Sequence, residues 1–383
     1  MPYGLLAGLL VHGALVALTL VSPRRPFWLA GLSHRVAAAY NEIPFLLAVV
    51  VLAGTVPSLL DGTKEPLWRA VAVGLTAVVL AGFVLIAWRG SRARPVVAQA
   101  LVDGLGTVQD TGPDPVRGPR RRPSTARLLM PIVLRPRDVE RIADVPYGDA
   151  GRAHMLDVYR HRTLPEGAPV LVHLHGGAYS GGRKSVESRA LLFRLAQQGW
   201  LTISANYRLR PHADFHDHLV DAKRVIAWVR RHGPEYGADP STLVLAGGSA
   251  GGHLSTIAAL TPNEPRHQPG FEDADTAVSA VVSLYGWYGG YYELGGPTSE
   301  VGPLGHDATA APPVFVAHGE KDSLAHVETA RRVVRHLRSG SSEPVVYAEL
   351  PGGQHSFDLF HSLRFAAVVD GVTAFLGQVR SRA

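Results

Sequence analysis

The first ninety residues hold three apolar stretches almost free of charge, which is hard to reconcile with a purely water-soluble fold. Gly4–Val21 and Ile43–Leu60 contain no Asp, Glu, Lys or Arg. Leu67–Trp88 contains one, Arg69, near its end, where a long side chain can snorkel to an interface. Each stretch is about 18–22 residues, and a helix of that length crosses a hydrocarbon core of roughly 30 Å. Buried helices of a soluble domain should show a polar face, and these do not. A cleavable leader fits poorly, because nothing basic precedes the first stretch. Residues 1–90 are therefore predicted to be a membrane region of three transmembrane helices.

The flanking charges predict the orientation. Arg24, Arg25 and Arg35 lie in the first connecting loop, against Glu42. The second loop has Asp61, Lys64 and Glu65, and Arg89, Arg92, Arg94, Arg117 and Arg120 to Arg122 follow the third stretch. The positive-inside rule places the first loop and everything after Trp88 in the cytoplasm, and the N-terminus outside. The expectation is a multi-pass protein of the cell membrane whose C-terminal part is cytoplasmic. Trp28, Trp68 and Trp88 flank the stretches as interfacial anchors do. His12, inside the first stretch, reads as a neutral side chain in a helix–helix contact.

The 383 residues are 46% apolar and only 18% charged, against about a quarter charged in soluble domains, which excludes a disordered chain. The net charge of +6 reads as membrane topology and attraction to anionic headgroups. No nucleic-acid partner is expected, since the Arg-rich run has no interleaved aromatics. The absence of cysteine excludes disulfides, thiolate metal sites and Cys nucleophiles.

Residues 91–138, dense in Pro, Gly and Arg, read as a linker. From 139 to 383 the pattern becomes that of an α/β domain. Short apolar runs end at Leu174, Ser204, Ala246, Leu284, His318 and Leu350. Between the second and third, Asp217–His232 carries Leu219, Ala222, Val225, Ile226 and Val229 at helical spacing. Buried strands alternating with amphipathic helices predict a mostly parallel central sheet covered by helices on both faces. Ligands in such folds bind at the carboxyl ends of the strands.

The chemistry-bearing motifs fall at those ends. Gly247-Gly-Ser249-Ala-Gly251 follows a strand and opens a helix, the pattern of a nucleophile elbow. The phosphate-binding alternative lacks the Walker lysine. A serine needs a base, and His355 in Pro351–Phe357 lies in the loop after a later strand. His253 is better placed for a structural role, and His318, His326 and His361 are weaker candidates. Between serine and base, Glu320 and Asp322 both qualify as the orienting acid, and Asp322 is preferred because its loop has cleared the sheet. His175-Gly176-Gly177-Ala178 ends another strand, and the amides of Gly177, Ala178 and Ala250 can face a developing oxyanion.

These motifs together, HGGA, GGSAGG, HGEKDSL and PGGQHSF, resemble those of the bacterial hormone-sensitive-lipase-like (family IV) esterases of the α/β-hydrolase superfamily. VPYGDAGRAHMLDVYRH, NYRLRP, EYGADP and QPGFEDADT are similar to the membrane-anchored carboxylesterases and lipases of mycobacteria and other actinobacteria. The resemblance covers about residues 140–383. It implies an α/β-hydrolase fold and a serine esterase or lipase acting on short- to medium-chain carboxylic esters, with Ser249 as nucleophile, Asp322 as acid, His355 as base and Gly177, Ala178 and Ala250 as oxyanion donors. The implied partner is an ester or lipid substrate, with membrane lipids around the anchor; no cofactor or metal is implied.

Ala178 stands where the family has a third glycine, and Gly248 where it often has Asp. Tyr285–Pro312 is shorter than the family's segment, which leaves substrate size open. Asp214, Asp217, His212, His216 and His218 are acceptable metal ligands, but a helix cap by Asp214 or Asp217 is the preferred reading. An acyltransferase with the same triad and a non-catalytic binding module are the alternative functions. Oligomeric state is not legible.

Overall fold

A computed structural model of the chain describes residues 3–61, 65–106, 124–163, 166–292 and 294–382. The Arg-rich run with Arg117 and Arg120 to Arg122, and Lys64 of the second loop, lie outside the described residues.

Six helices come first: α1 (Tyr3–Val21), α2 (Phe27–Tyr40), α3 (Pro44–Asp61), α4 (Pro66–Ser91), α5 (Ala93–Leu105) and the short α6 (Thr125–Leu129). The strands follow as β1 (Val139–Pro146), β2 (Met155–His161), β3 (Ala168–Leu174), β4 (Leu201–Ala205), β5 (Ala238–Gly248), β6 (Ala280–Leu284), β7 (Val314–Gly319) and β8 (Val345–Leu350). Between and after them lie α7 (Arg189–Gln197), α8 (Phe215–His232), α9 (Ala250–Leu260), α10 (Val327–Gly340) and α11 (Leu363–Arg382).

The strands form one sheet in the order β1-β2-β4-β3-β5-β6-β7-β8. From β4 across to β8 every pairing is parallel, while β1 and β2 pair antiparallel at one edge. Every residue of β3, β4, β6 and β7 is buried, as befits strands covered on both faces. The edge strand β1 alternates instead, with much of its length exposed. Apolar side chains of α8 predicted to face the core, Leu219, Ala222, Val225, Ile226 and Val229, are all buried. Asp214 caps α8: its carboxylate accepts from the Asp217 N–H, and Asp217 accepts from the Asp214 N–H, a reciprocal capping box.

Helices cover all three N-terminal apolar stretches. Two meet the length and apolarity needed to cross a bilayer, Tyr3–Val21 and Pro66–Leu105. The helices α2 and α3 reach that apolarity only when taken together, and they bend by 83° at their junction. The helices meet through a small apolar core that includes Leu9, Val16, Val51, Val79 and Phe83. A Cβ at Gly82 would overlap the Val16 side chain, so glycine there lets α1 and α4 approach closely. His12 has a partner that spacing alone did not reveal: its Nδ1 is 2.7 Å from the Tyr40 hydroxyl of α2.

The linker expected from residue 91 is corrected over 93–105. Here α5 continues α4 almost without interruption and joins the main hydrophobic core through Ala93, Val97, Ala100 and Leu101. Gly104 lies so close to β8 that a Cβ would overlap the Val346 backbone, and Arg94 pairs with Asp370 of α11 at 2.7 Å. The physical reason is that α5's apolar stripe is only four residues, interleaved with small residues, and reads as weak periodicity until the sheet supplies its partner surface. Val97→Asp should therefore lower the thermal unfolding midpoint of the purified protein sharply, because an unpaired charge would enter the core. An unchanged midpoint would mean that α5 is dispensable for packing.

Candidate active site

The site is built on the turn between β5 and α9. Ser249 has φ +52° and ψ −117°, a conformation that L-residues rarely adopt, and it lifts the hydroxyl off the strand end. The turn is held by a hydrogen bond from the Ser249 N–H to the Leu284 carbonyl at 3.0 Å. Its neighbours are constrained by contact. A Cβ at Gly247 would overlap the backbone of Gly251, and one at Gly251 would overlap the carbonyl of Leu174.

Gly248 has a specific cause. A Cβ there would overlap the ring of Tyr285. The buried Tyr285 ring stands edge-on to His355 at 4.8 Å, and its hydroxyl donates to Asp358 at 2.5 Å.

The structure brings Ser249, His355 and Asp322 into one hydrogen-bonded chain. His355 Nε2 is 2.8 Å from Ser249 Oγ, and Nδ1 is 2.7 Å from Asp322 Oδ2. Asp322 is fully buried, and its other oxygen accepts the N–H groups of Leu324 and Ala325 at 2.9 and 2.8 Å. Burial by itself would raise this carboxyl, but His355, His318 and the backbone donors outweigh it and hold it below the ordinary carboxylate value. Glu320 points elsewhere and accepts from the Gly352 N–H at 2.9 Å.

One side chain that sequence reasoning missed joins the acid and base loops. Gln354 Oε1 accepts from the N–H groups of both Ser323 and His355 at 3.0 Å, and its Nε2 donates to Ser323 Oγ at 3.0 Å. Only its position beside His355 signalled it.

His175, Gly176, Gly177 and Ala178 run from the end of β3 past the serine. Gly177, Ala178 and Tyr179 all have positive φ, at 116°, 51° and 60°, so the chain curls where it passes the serine. Ala250 opens α9, so its N–H has no partner within the helix. Ala178, Ala250, Ser249 and His355 line one cleft of about 450 Å³, closed mostly by aromatic side chains, among them Trp287, Tyr291 and Tyr292. All three belong to the short 285–312 segment, which among its described residues has only a single 3-10 turn at Pro303–Gly305. The segment therefore walls the cleft with side chains instead of a helical cap. Arg210 lies over the Tyr292 ring at 3.6 Å and pins it.

The remaining histidines have other partners. His253 is buried with Nδ1 2.7 Å from the Tyr179 hydroxyl, in agreement with a structural role. His318 Nε2 meets the Ala325 carbonyl at 2.6 Å and lies 3.4 Å from Asp322. His218 stacks on Tyr179, while His216 faces His267. Asp214 and Asp217 are engaged in the α8 cap, apart from the contacts of His216 and His218.

Behind the Gly176 turn lies a carboxyl pair. Glu187 Oε2 accepts the Gly176 N–H at 2.6 Å, and Asp358 accepts from Ser188 and Tyr285. His173 sits with them, and ligand-type atoms of the three lie within 4.8 Å of one another. Burial pushes the Glu187 carboxyl up to about 8, and the neighbouring Asp358 charge adds to it.

These features define the α/β-hydrolase class: a largely parallel sheet, a strained serine after a central strand, and acid and base loops at the ends of β7 and β8. The chain belongs to the family of carboxylic ester hydrolases that includes mycobacterial LipM. It is 38% identical to the probable carboxylic ester hydrolase LipM of Mycobacterium tuberculosis (strain ATCC 25618 / H37Rv), over 97% of this chain and 93% of that one. Esterase LipQ of the same strain is 36% identical over 77% of each chain, and its esterase LipC is 33% identical over 88% of this chain and 92% of its own. The BD-FAE family model matches residues 156–289. The fold is similar to that of a solved thermophilic esterase from Thermogutta terrifontis with propionate bound, at a TM-score of 0.55 and 23% identity, covering 63% of this chain and 95% of that one.

The Glu187 carboxyl yields a test of sign. A raised acid favours the fold while protonated, so its contribution is complete below the ordinary value of 4.5 and is lost as pH rises through about 8. Glu187→Gln keeps an acceptor for Gly176 and stays neutral. Its thermal midpoint should match wild type near pH 5 and exceed it at pH 9. A difference that does not change with pH would contradict this assignment.

Proposed function

We propose that the protein is a membrane-anchored serine carboxylesterase that hydrolyses short- to medium-chain esters through an acyl-enzyme on Ser249. The observation that carries the reading is the Ser249–His355–Asp322 chain, with separations of 2.8 and 2.7 Å, opening on an apolar cleft.

His355 Nε2 takes the Ser249 proton as Oγ bonds to the ester carbonyl carbon. The carbonyl oxygen becomes an oxyanion facing the amides of Gly177, Ala178 and Ala250, where each donor is worth on the order of 3 kcal/mol. The tetrahedral species expels the alkoxide, which takes the proton from His355 and leaves as the alcohol. A water then gives a proton to His355 as its oxygen attacks the acyl carbon, and Ser249 recovers the proton as the acid departs. Asp322 remains ionised throughout and holds the imidazole with Nδ1 protonated, the tautomer that the two backbone donors on its other oxygen favour.

Anchoring rests on the exposed apolar surface of the N-terminal helices. Only 17% of the most apolar window of Tyr3–Val21 and 28% of that of Pro66–Leu105 is buried, which water would tolerate poorly and lipid would cover. Arg24 pairs with Glu328 of α10, and Arg94 with Asp370 of α11. The cations that marked one side of the membrane thus touch the catalytic domain, which supports placing the first loop and that domain on the same side.

Turnover of p-nitrophenyl butyrate by the full chain should fall at least ~10³-fold in Ser249→Ala. Equal turnover would remove the nucleophile, and products carrying an added acceptor alcohol would move the reaction to acyl transfer.

A further inference from the structure

The helix between the first two apolar stretches sits on the catalytic loops. The Ala30 carbonyl of α2 accepts from Ser323 Oγ at 3.1 Å. Buried Ser33 lies 3.5 Å from Gln354 Nε2, and the His34 ring stands edge-on to the His355 ring at 5.5 Å. Just past α2, Asn41 donates to the Gly352 carbonyl at 2.9 Å, and Glu42 pairs with Arg364 in an ion pair in which both side chains are 1% exposed. Arg364 also donates to the Pro351 carbonyl at 3.2 Å. These contacts fall on the acid loop, the base loop and the start of α11, and they fix α2 against the site at both its middle and its end.

Fixed in this way, α2 brings its first residue to the cleft. Phe27 lines it together with Ser249, Leu324 and His355, yet is 83% exposed, and its neighbour Trp28 is 69% exposed. Six residues before Phe27, α1 ends at Val21, itself exposed. A large aromatic pair left open beside the end of an apolar helix is the arrangement of an interfacial belt. The mouth of the cleft therefore opens at the level where the first apolar helix would leave the bilayer.

We propose that Phe27 is a specificity-determining residue and that the ester is taken from the membrane surface: an acyl chain seated in the bilayer passes Phe27 to reach Ser249. The inference rests on Ser249 being the nucleophile. An acyl chain that leaves lipid for an apolar cleft exchanges one apolar environment for another, and Phe27 bridges the step; a small water-soluble ester enters without needing that bridge.

The test uses the full-length enzyme in phosphatidylcholine vesicles, with p-nitrophenyl decanoate dispersed in the bilayer and p-nitrophenyl acetate in solution. Phe27→Ala should raise KM for the decanoate about tenfold, a scale typical of one lost apolar contact in an acyl pocket, and change kcat much less. The acetate should respond less than the decanoate, and Phe27→Leu should recover most of the decanoate loss. Equal changes for both esters, or no change in either, would overturn the inference. Ser249→Ala separates the two claims: if it retains turnover the nucleophile is wrong, whereas if it is inactive and Phe27→Ala is indifferent to chain length, only the role of α2 fails.

Discussion

A single backbone conformation organises this molecule. Ser249 projects its hydroxyl above the sheet with φ +52°, and that turn brings the start of α9 into backbone contact with the ends of β5 and β3. Glycine at 247 and 251 follows from that contact, and a Cβ at Gly176 would sit tightly, 3.0 Å from the Ser249 Cβ. Tyr285 fills the space over Gly248 and simultaneously leans on His355, so the elbow and the base are packed as one unit. The strain at Ser249 persists because β3, β6 and the loop after β6 surround it.

Much of this was legible from short-range pattern. The elbow glycines, the strand endings and the order serine, acid, base are local features, and the spacing that identified Ser249, Asp322 and His355 corresponds to side chains in mutual contact. What escaped depended on partners distant in sequence. Gln354 joins two loops that begin at different strands, and the meaning of Gly248 lies in Tyr285, thirty-odd positions away. The edge strand β1 is largely exposed, and β2 beside it carries Asp157 among its buried residues, so both lack the continuous apolar run that announced the inner strands. Helix α5 escaped for the same reason: its narrow stripe acquires meaning only against β8 and α11.

The sequence alone predicts an N-terminal anchor joined to the enzyme by a linker. The helices do carry the expected apolar surface, but α4 runs into α5 and the core, while α2 rests on the catalytic loops. Charges assigned to topology are also docking contacts, since Arg24 and Arg94 pair with α10 and α11. Glu42, counted only as an acid opposing the loop arginines, is instead buried against Arg364. The apolar excess in the composition and the hydrolase fold thus belong to one packed assembly, in which the geometry of the base loop depends on a segment far upstream.

The central claim is that Ser249 is an activated nucleophile in the folded, full-length protein. Reaction with a fluorophosphonate probe, followed by peptide mapping, tests it most directly. The account predicts stoichiometric modification at Ser249, lost on unfolding and abolished in His355→Ala. A folded wild-type protein left unmodified at Ser249, or modified at another residue, would contradict it.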